Sequence, residues 1–446
     1  MSSRSLSASS DIQSGVINPL VRRHAEDAAF YWMQRDGNAQ SPILHFERLK
    51  HFDRLLNAHL DGLRVAEDEG WKIALANLQR WRTNGETFVA YALAFNHDHK
   101  RPQQLWDIIL KLPDTTRDGL VSALGWLPES TVSPWLDVWI QRDDMPLMQA
   151  LALRTYSIRR SMPSTISLEV LLTSRHAQVR AAALTLAGRL RLEQALPHLP
   201  QACKAEDLTE RASAVIAMQL LSNGEAVLSD LWQILMRHYE VAEESKGLTR
   251  QIARRRTETL ARHLGHTIPL GHPGLQQALA QLPARLALIV IAHHGDAGLI
   301  PKIIEAMNDK ALSRLAGWAL SMITGIDLDG ARLSMLPEPP ENEVDERTTP
   351  LEDPDAGLPI PHKEAVKVWW QAHAVNYLGR GKLLLGNEAN DKARCLGTLR
   401  SGTQVSRFAA ALNLVSSDKA MPYVETRATA LLQEEVLNRL SQEVKR

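Results

Sequence analysis

The feature that most constrains how this chain can fold is a repeat with a period of 31 residues. FVAYALAF begins at Phe88, GLVSALGW at Gly119, ALALRTYS at Ala150, AAALTLAG at Ala181 and ASAVIAMQ at Ala212. Small residues lead four of the five segments, and apolar residues recur at the positions that follow. Each segment is succeeded by a break and a second apolar stretch: PQQLWDIIL, SPWLDVWI, TISLEVLL, EQALPHLP and EAVLSDLW. Spacing at i, i+3 and i+4 predicts helices, and strand signals are scarce. In AAALTLAGRL (181–190) the Ala and Leu positions cover most of the helix surface, so that helix needs neighbours on two sides. Two helices per unit sharing a continuous core is the logic of an α-solenoid, and the expected fold is all-α.

The best-formed unit, HAQVRAAALTLAGRLRLEQALPHL (176–199), carries the Val179-Arg180 pair, an Ala-rich first helix and an Ala-Leu-Pro-x-Leu opening to the second. It resembles HEAT repeats. The resemblance implies a structural role for Arg180, paired with an acid in a neighbouring repeat. Glu210-Arg211 and Ser313-Arg314 repeat the Arg position with weaker surroundings.

The expected organisation follows from composition along the chain. Residues 1–15 are Ser-rich and read as a loose tail without the apolar core of a secretory signal. Residues 16–84 form an N-terminal helical cap and 85–330 the HEAT-type solenoid, with a longer helix and loop inserted at about 241–274. Residues 331–360 form an acidic, Pro-rich linker: 337–357 hold five Pro and eight acids against one Arg, a composition that cannot bury a core. Residues 361–446 form a helical C-terminal portion, in which RGKLLLG suggests a short strand-like arm. No apolar run approaches the roughly 20 residues of a membrane helix.

Lys plus Arg and Asp plus Glu are both 51, giving zero net charge. That balance argues against a chain whose main task is to grip nucleic acid or anionic lipid. Cys203 and Cys395 are the only cysteines, too few for a disulfide framework or a CxxC knuckle. The chain reads as cytoplasmic. His263, His266 and His272 are spaced H-x2-H-x5-H, but Gly265, Gly271 and two prolines mark a loop, and no Cys or nearby carboxylate completes a zinc set. His97-Asp98-His99 is a weaker set still. His293-His294-Gly295-Asp296 reads as a helix C-terminus, where His complements the dipole, followed by a Gly-Asp turn. No metal, cofactor or catalytic residue is expected.

Two surfaces are candidates for a partner. At the 31-residue shift the second helices contribute Trp106 and Asp107, Asp137 and Trp139, Glu169, His198, and Asp230 and Trp232. Facing a groove, these make an acidic surface with aromatic anchors. Facing inward, the tryptophans are core. The second candidate is Arg254, Arg255 and Arg256, flanked by Arg250 and Arg262. Helical spacing spreads three consecutive arginines around a helix, and the target would be an acidic protein or the chain's own linker at 338–355. The alternative for Trp, of which the chain has 11, is to fill a core made thin by Ala.

RHAEDAAFYWMQRD (23–36), RLLNAHLDGLRVAEDEGW (54–71), GWALSMITGIDL (317–328) and EDPDAGLPIPHKEAVKVWW (352–370) together resemble a bacterial family of HEAT-repeat proteins of undefined biochemical role, often encoded among type VI secretion genes. The resemblance runs from about residue 20 to residue 416. It implies a type VI secretion accessory: an adaptor or chaperone for an effector or loading component, or alternatively an immunity protein that neutralises a toxin. The expected function is therefore a non-enzymatic protein-binding scaffold. A remote alternative of another class is a HEAT-like DNA glycosylase, which needs a basic cleft with a carboxylate aimed at a flipped base. Arg254–Arg256 are the only basic run on offer.

Overall fold

The computed structural model describes residues 17–95, 100–111, 116–222, 227–336 and 355–443. The described chain is all-α apart from two short two-stranded antiparallel sheets. It divides into two compact units, one of residues up to Asp36 with His51–Ser133, the other of Gly37–Lys50 with Pro134–Arg446. Among the described residues no helix is long and apolar enough to cross a membrane. The tail at 1–15, His97-Asp98-His99 and most of the acidic linker lie outside the described residues.

The first unit is drawn from α1 (Asn18–Gly37), α2 (Phe46–Val65), α3 (Glu67–Trp81), α4 (Asn84–Ala94), α5 (Lys100–Ile109) and α6 (Arg117–Trp126). Thr83 opens α4 as an N-cap: its hydroxyl accepts from the Gly85 N–H at 3.3 Å and donates to the Glu86 carboxylate. Gly119 lets α6 approach α4 closely, for a Cβ there would lie 2.1 Å from the Asn84 carbonyl oxygen. Trp32 stacks on Phe88, and Phe88 meets Trp126 edge-on. The buried Arg35 joins Asp53 at 2.5 Å and covers the Trp126 ring.

In the second unit α7 (Glu129–Trp139), α8 (Pro146–Arg159), α9 (Leu168–Leu172), α10 (Ala177–Leu190), α11 (Leu199–Ala202), α12 (Leu208–Ser222) and α13 (Leu228–Glu244) come first. The Ala-rich α10 packs on α8 at one side and α12 at the other, as its all-round apolar surface requires. A Cβ on Gly188 would stand 2.9 Å from the Ala217 Cα. Arg180 makes two hydrogen bonds of 2.6 Å to Glu210, as the HEAT resemblance implies. Both α8 and α10 close on an arginine in the left-handed region, Arg160 at φ 58° and Arg191 at φ 59°. Their guanidinium groups donate to the carbonyls of Tyr423 and Leu220. The second segments are less regular than their sequence suggests. TISLEVLL yields only the five-residue α9, and EQALPHLP a 3-10 turn ahead of the four-residue α11. Pro197 and Pro200 lack the N–H that a longer helix would use.

The longer helix expected within 241–274 is α14 (Gly247–Thr267), with turn residues from 268 to 274 after it, and it packs continuously with its neighbours. Helix α13 runs to Glu244, and α14 lies against both α13 and α16 (Ala284–His294). Ala253, Thr257, Leu260, Ala261 and Leu264 form its buried stripe. Gly265 sits where a Cβ would be 2.4 Å from the Val290 carbonyl oxygen, so it is a contact glycine and not a loop glycine. Helices α15 (Leu275–Gln281), α17 (Ile300–Ala306) and α18 (Ser313–Thr324) follow, with α18 against α16.

Both described edges of the acidic segment are anchored, contrary to the reading of an extended linker to residue 360. Strand β1 (Ser334–Met335) pairs antiparallel with β2 (Ile360–Pro361), Leu333 and Leu358 are buried, and buried Asp355 accepts two hydrogen bonds from Arg285, at 2.7 and 2.9 Å. The rest of the unit comprises α19 (Lys363–His373), a hairpin of β3 (Leu383–Leu384) and β4 (Asn387–Glu388), α20 (Lys392–Ser401), α21 (Gln404–Ser417) and α22 (Ala430–Glu443). The arm docks on helix ends: the Leu383 N–H donates to the Gly295 carbonyl at 2.8 Å, and those of Leu385 and Gly386 to Met322 and Ile323.

Candidate partner-binding site

The half-exposed Trp232 stands in a concavity of about 570 Å³ between the start of α12 and the outer face of α13. Asp207 fixes the start of α12 by capping it, accepting from the Thr209 and Glu210 N–H groups at 3.0 and 2.8 Å. The Arg180–Glu210 pair then pins that turn from below. Arg211 crosses to α13, donating to Gln233 at 2.7 Å, and Arg237 pairs with Glu240 at 2.8 Å. Lys204 and Met236 complete a rim in which an indole and a thioether sit among charges of both signs. An amphipathic peptide segment matches that chemistry, with an apolar side chain against Trp232 and polar groups on the rim. Cys203 is buried nearby, its thiol pushed up to about 11 by burial and then by Asp230, so it stays protonated and is no nucleophile.

The other expected site residues separate. Trp106 and Trp139 are buried, which corrects their reading as groove anchors. Each lies on the inward stripe of its helix, with Leu105 and Ile109 or Leu136 and Ile140. Asp107 is exposed in the first unit beside Trp106, while Asp137 and Asp230 are half-buried in the second. Asp137 accepts from the Tyr156 hydroxyl at 3.0 Å, so its carboxylate is already engaged. Glu169 is exposed and His198 half-exposed. Arg254, Arg255 and Arg256 are all exposed, because α14 buries only a narrow stripe on that turn. Arg254 and Arg250 lie 3.7 and 3.4 Å from Glu243. The one described acid at the linker's end, Asp355, belongs to Arg285 and not to this run.

No family model, curated protein or solved structure matches the chain. Function is therefore argued from its own residues.

The histidines are not where the spacing put them. His263 and His266 ride on α14, and only His272 falls in the turn beyond it. Among the described residues no group of three or more His, Cys, Asp or Glu side chains could hold a metal ion. His263, on the inner face, donates from Nδ1 to Gln219 and meets Phe408 edge-on. His293 and His294, at the end of α16, are buried as well. Neither ring nitrogen of His293 has a hydrogen-bond partner. Desolvation carries His263 and His266 down to about 3, His294 to about 4 and His293 well below the ordinary imidazole range. All four are neutral near pH 7. His293 and His294 thus do not complement the helix dipole as cations, and the end of α16 is closed by Gly295 at φ 75°. The turn that follows is as expected, Asp296 accepting from the Gly298 N–H at 2.8 Å.

Two features of this region carry weak sequence signals. Lys382, read only as part of the RGKLLLG arm, reaches inward and donates to the His266 carbonyl at 2.6 Å. Burial pushes its ammonium down to about 8. Arg407 is fully buried in α21, preceded in sequence by nothing more telling than a Thr-Gln-Val-Ser helix start.

Proposed function

We propose that the chain is an α-solenoid of HEAT type working as a non-enzymatic protein-binding scaffold, an accessory of type VI secretion that holds an effector or loading component in the cytosol as adaptor or chaperone. The observation that carries the scaffold reading is the half-exposed Trp232 set among rim charges of both signs on successive helices. Support for the repeat reading comes from geometry that recurs at the sequence period: α8, α10 and α12 in file, and the left-handed arginines Arg160 and Arg191 one period apart. The secretion role rests on the resemblance of the four sequence blocks.

Adaptor and immunity roles make opposite predictions in cells. In a type VI-secreting host that encodes this chain, deletion of its gene abolishes export of one effector, while co-expression with that effector in the cytosol leaves its toxicity unchanged. Rescue from the toxin with export intact establishes the immunity role and removes the adaptor reading.

A further inference from the structure

We propose that His24 and His59 form a binding site for a divalent transition-metal ion of the Cu²⁺ or Ni²⁺ class, joining α1 to α2 within the first unit. The two Nδ1 atoms stand 3.0 Å apart. One neutral imidazole can donate to the other across that gap, and the same spacing suits a shared ion. Two nitrogens each about 2.0–2.1 Å from a metal lie about 3 Å apart when they occupy adjacent corners of a square or octahedron, the geometry of Cu²⁺ and Ni²⁺. A tetrahedral ion spreads them to about 3.3 Å and, as structural or catalytic zinc, takes three or four protein ligands. Only two converge here.

Both helices hold the pair in place. On α1, His24, Asp27 and Tyr31 share one face at i, i+3 and i+7, and on α2, His59 and Gly62 are three residues apart. A Cβ at Gly62 would lie 2.8 Å from Cδ2 and Nε2 of His24, so this glycine makes the slot that receives the first imidazole. Glycine is disfavoured inside a helix, and the close approach of the ring accounts for it here. Tyr31 stacks on His59 with ring centroids 5.5 Å apart and planes 27° from parallel, which orients the second imidazole. Asp27 places Oδ2 3.9 Å from His59 Nδ1 and 3.5 Å from Arg23 Nε. At that distance it is a counter-charge beside the ion and not a third ligand, and water takes the remaining positions. Arg23 is exposed and Asp27 half-exposed, so the pair is reached from solvent on that side. Burial holds His59 below the ordinary imidazole range, with Asp27 pulling it back up, so near pH 7 it presents the neutral ring that ligates metals.

The test uses the full chain with Cu²⁺ as probe. Because the chain has 16 histidines, the readout must belong to this pair. Titration calorimetry against glycine-buffered Cu²⁺ should show one saturable site, and electron paramagnetic resonance at one equivalent without glycine should show coupling to two imidazole nitrogens. His59→Phe, which keeps the stack on Tyr31, should weaken the site at least tenfold and remove the two-nitrogen pattern. His24→Asn should do the same. Gly62→Ala keeps both ligands but fills the slot, and it too should weaken binding at least tenfold, with circular dichroism unchanged in all three variants. Absence of a saturable site overturns the proposal. So does a site whose affinity and spectrum are indifferent to His59→Phe and His24→Asn, which places the ion on other histidines.

Discussion

Replacing Arg407 with Met lowers the stability of the second unit by several kcal/mol, at about 1–3 kcal/mol for each buried acceptor left without its donor. The guanidinium is fully buried, donates to the Leu399 carbonyl at 2.7 Å and also bonds the side-chain oxygens of Gln404 and Gln433. Its plane covers Phe46 at 3.9 Å. Methionine fills similar space but supplies no donor, so three buried acceptors lose their partner. Gln433 also donates to the Thr426 and Ala428 carbonyls, so the loss spreads to the loop entering α22. Arg407→Lys keeps a charge but not the planar fork that reaches several acceptors at once, and it should recover less than half of the loss. Urea unfolding followed by circular dichroism measures both variants. A loss under about 1 kcal/mol for Arg407→Met, the net worth of one ordinary hydrogen bond, contradicts this reading.

Acid weakens the same unit well before carboxylates protonate. His263, His266, His293 and His294 have folded values between about 3 and 4, or lower, against an ordinary 6.5 for the unfolded chain. Below pH 6.5 the unfolded chain takes up protons that the folded one refuses. The stability these groups contribute is therefore complete above pH 6.5 and is lost progressively as pH falls toward 4. Each contributes a slope of up to about 1.4 kcal/mol per pH unit in that window. The groups facing them from packed elements are Arg262 and Arg189, which push His263 further down, and Lys382, which does the same to His266 and His294. Asp296 pulls His294 weakly upward. A substantially lower urea midpoint at pH 5 than at pH 7.5 is expected. His293→Phe should flatten that dependence and raise stability at pH 7.5, because its ring lies among Trp318 and Phe408 with both nitrogens unpartnered. Equal midpoints at the two pH values would sink the claim that these rings stay neutral in the folded chain.

What was legible in the sequence was periodicity. Five in-phase segments became α4, α6, α8, α10 and α12, and the Val179-Arg180 pair found its acid. Periodicity marks which face is buried, not what meets it. Gly265 looked like a loop residue because its fitness lies in the approach of Val290, across a helix contact that no local pattern encodes. Trp139 and Trp232 fall at the same phase of the repeat, yet Trp139, like Trp106, is buried and Trp232 lines a concavity. Neighbouring acids did not separate them: Asp107 is exposed beside a buried indole because successive helical positions point about 100° apart. Arg407 was hidden for a similar reason. Its acceptors come from residues before, within and after its own helix, and the apolar run FAAALNL around it signals only burial.

Recovery of a partner on tagged wild-type chain and on a Trp232→Ala, Arg237→Glu variant, quantified by mass spectrometry from a type VI-secreting host, tests the scaffold reading most directly. The indole is half-exposed and Arg237 is at the surface, so the variant should keep its helical spectrum. The account predicts that one secretion-associated protein is enriched on the wild-type chain and falls at least tenfold on the variant. Undiminished recovery of the same protein on the folded variant would contradict the Trp232 concavity as its binding site.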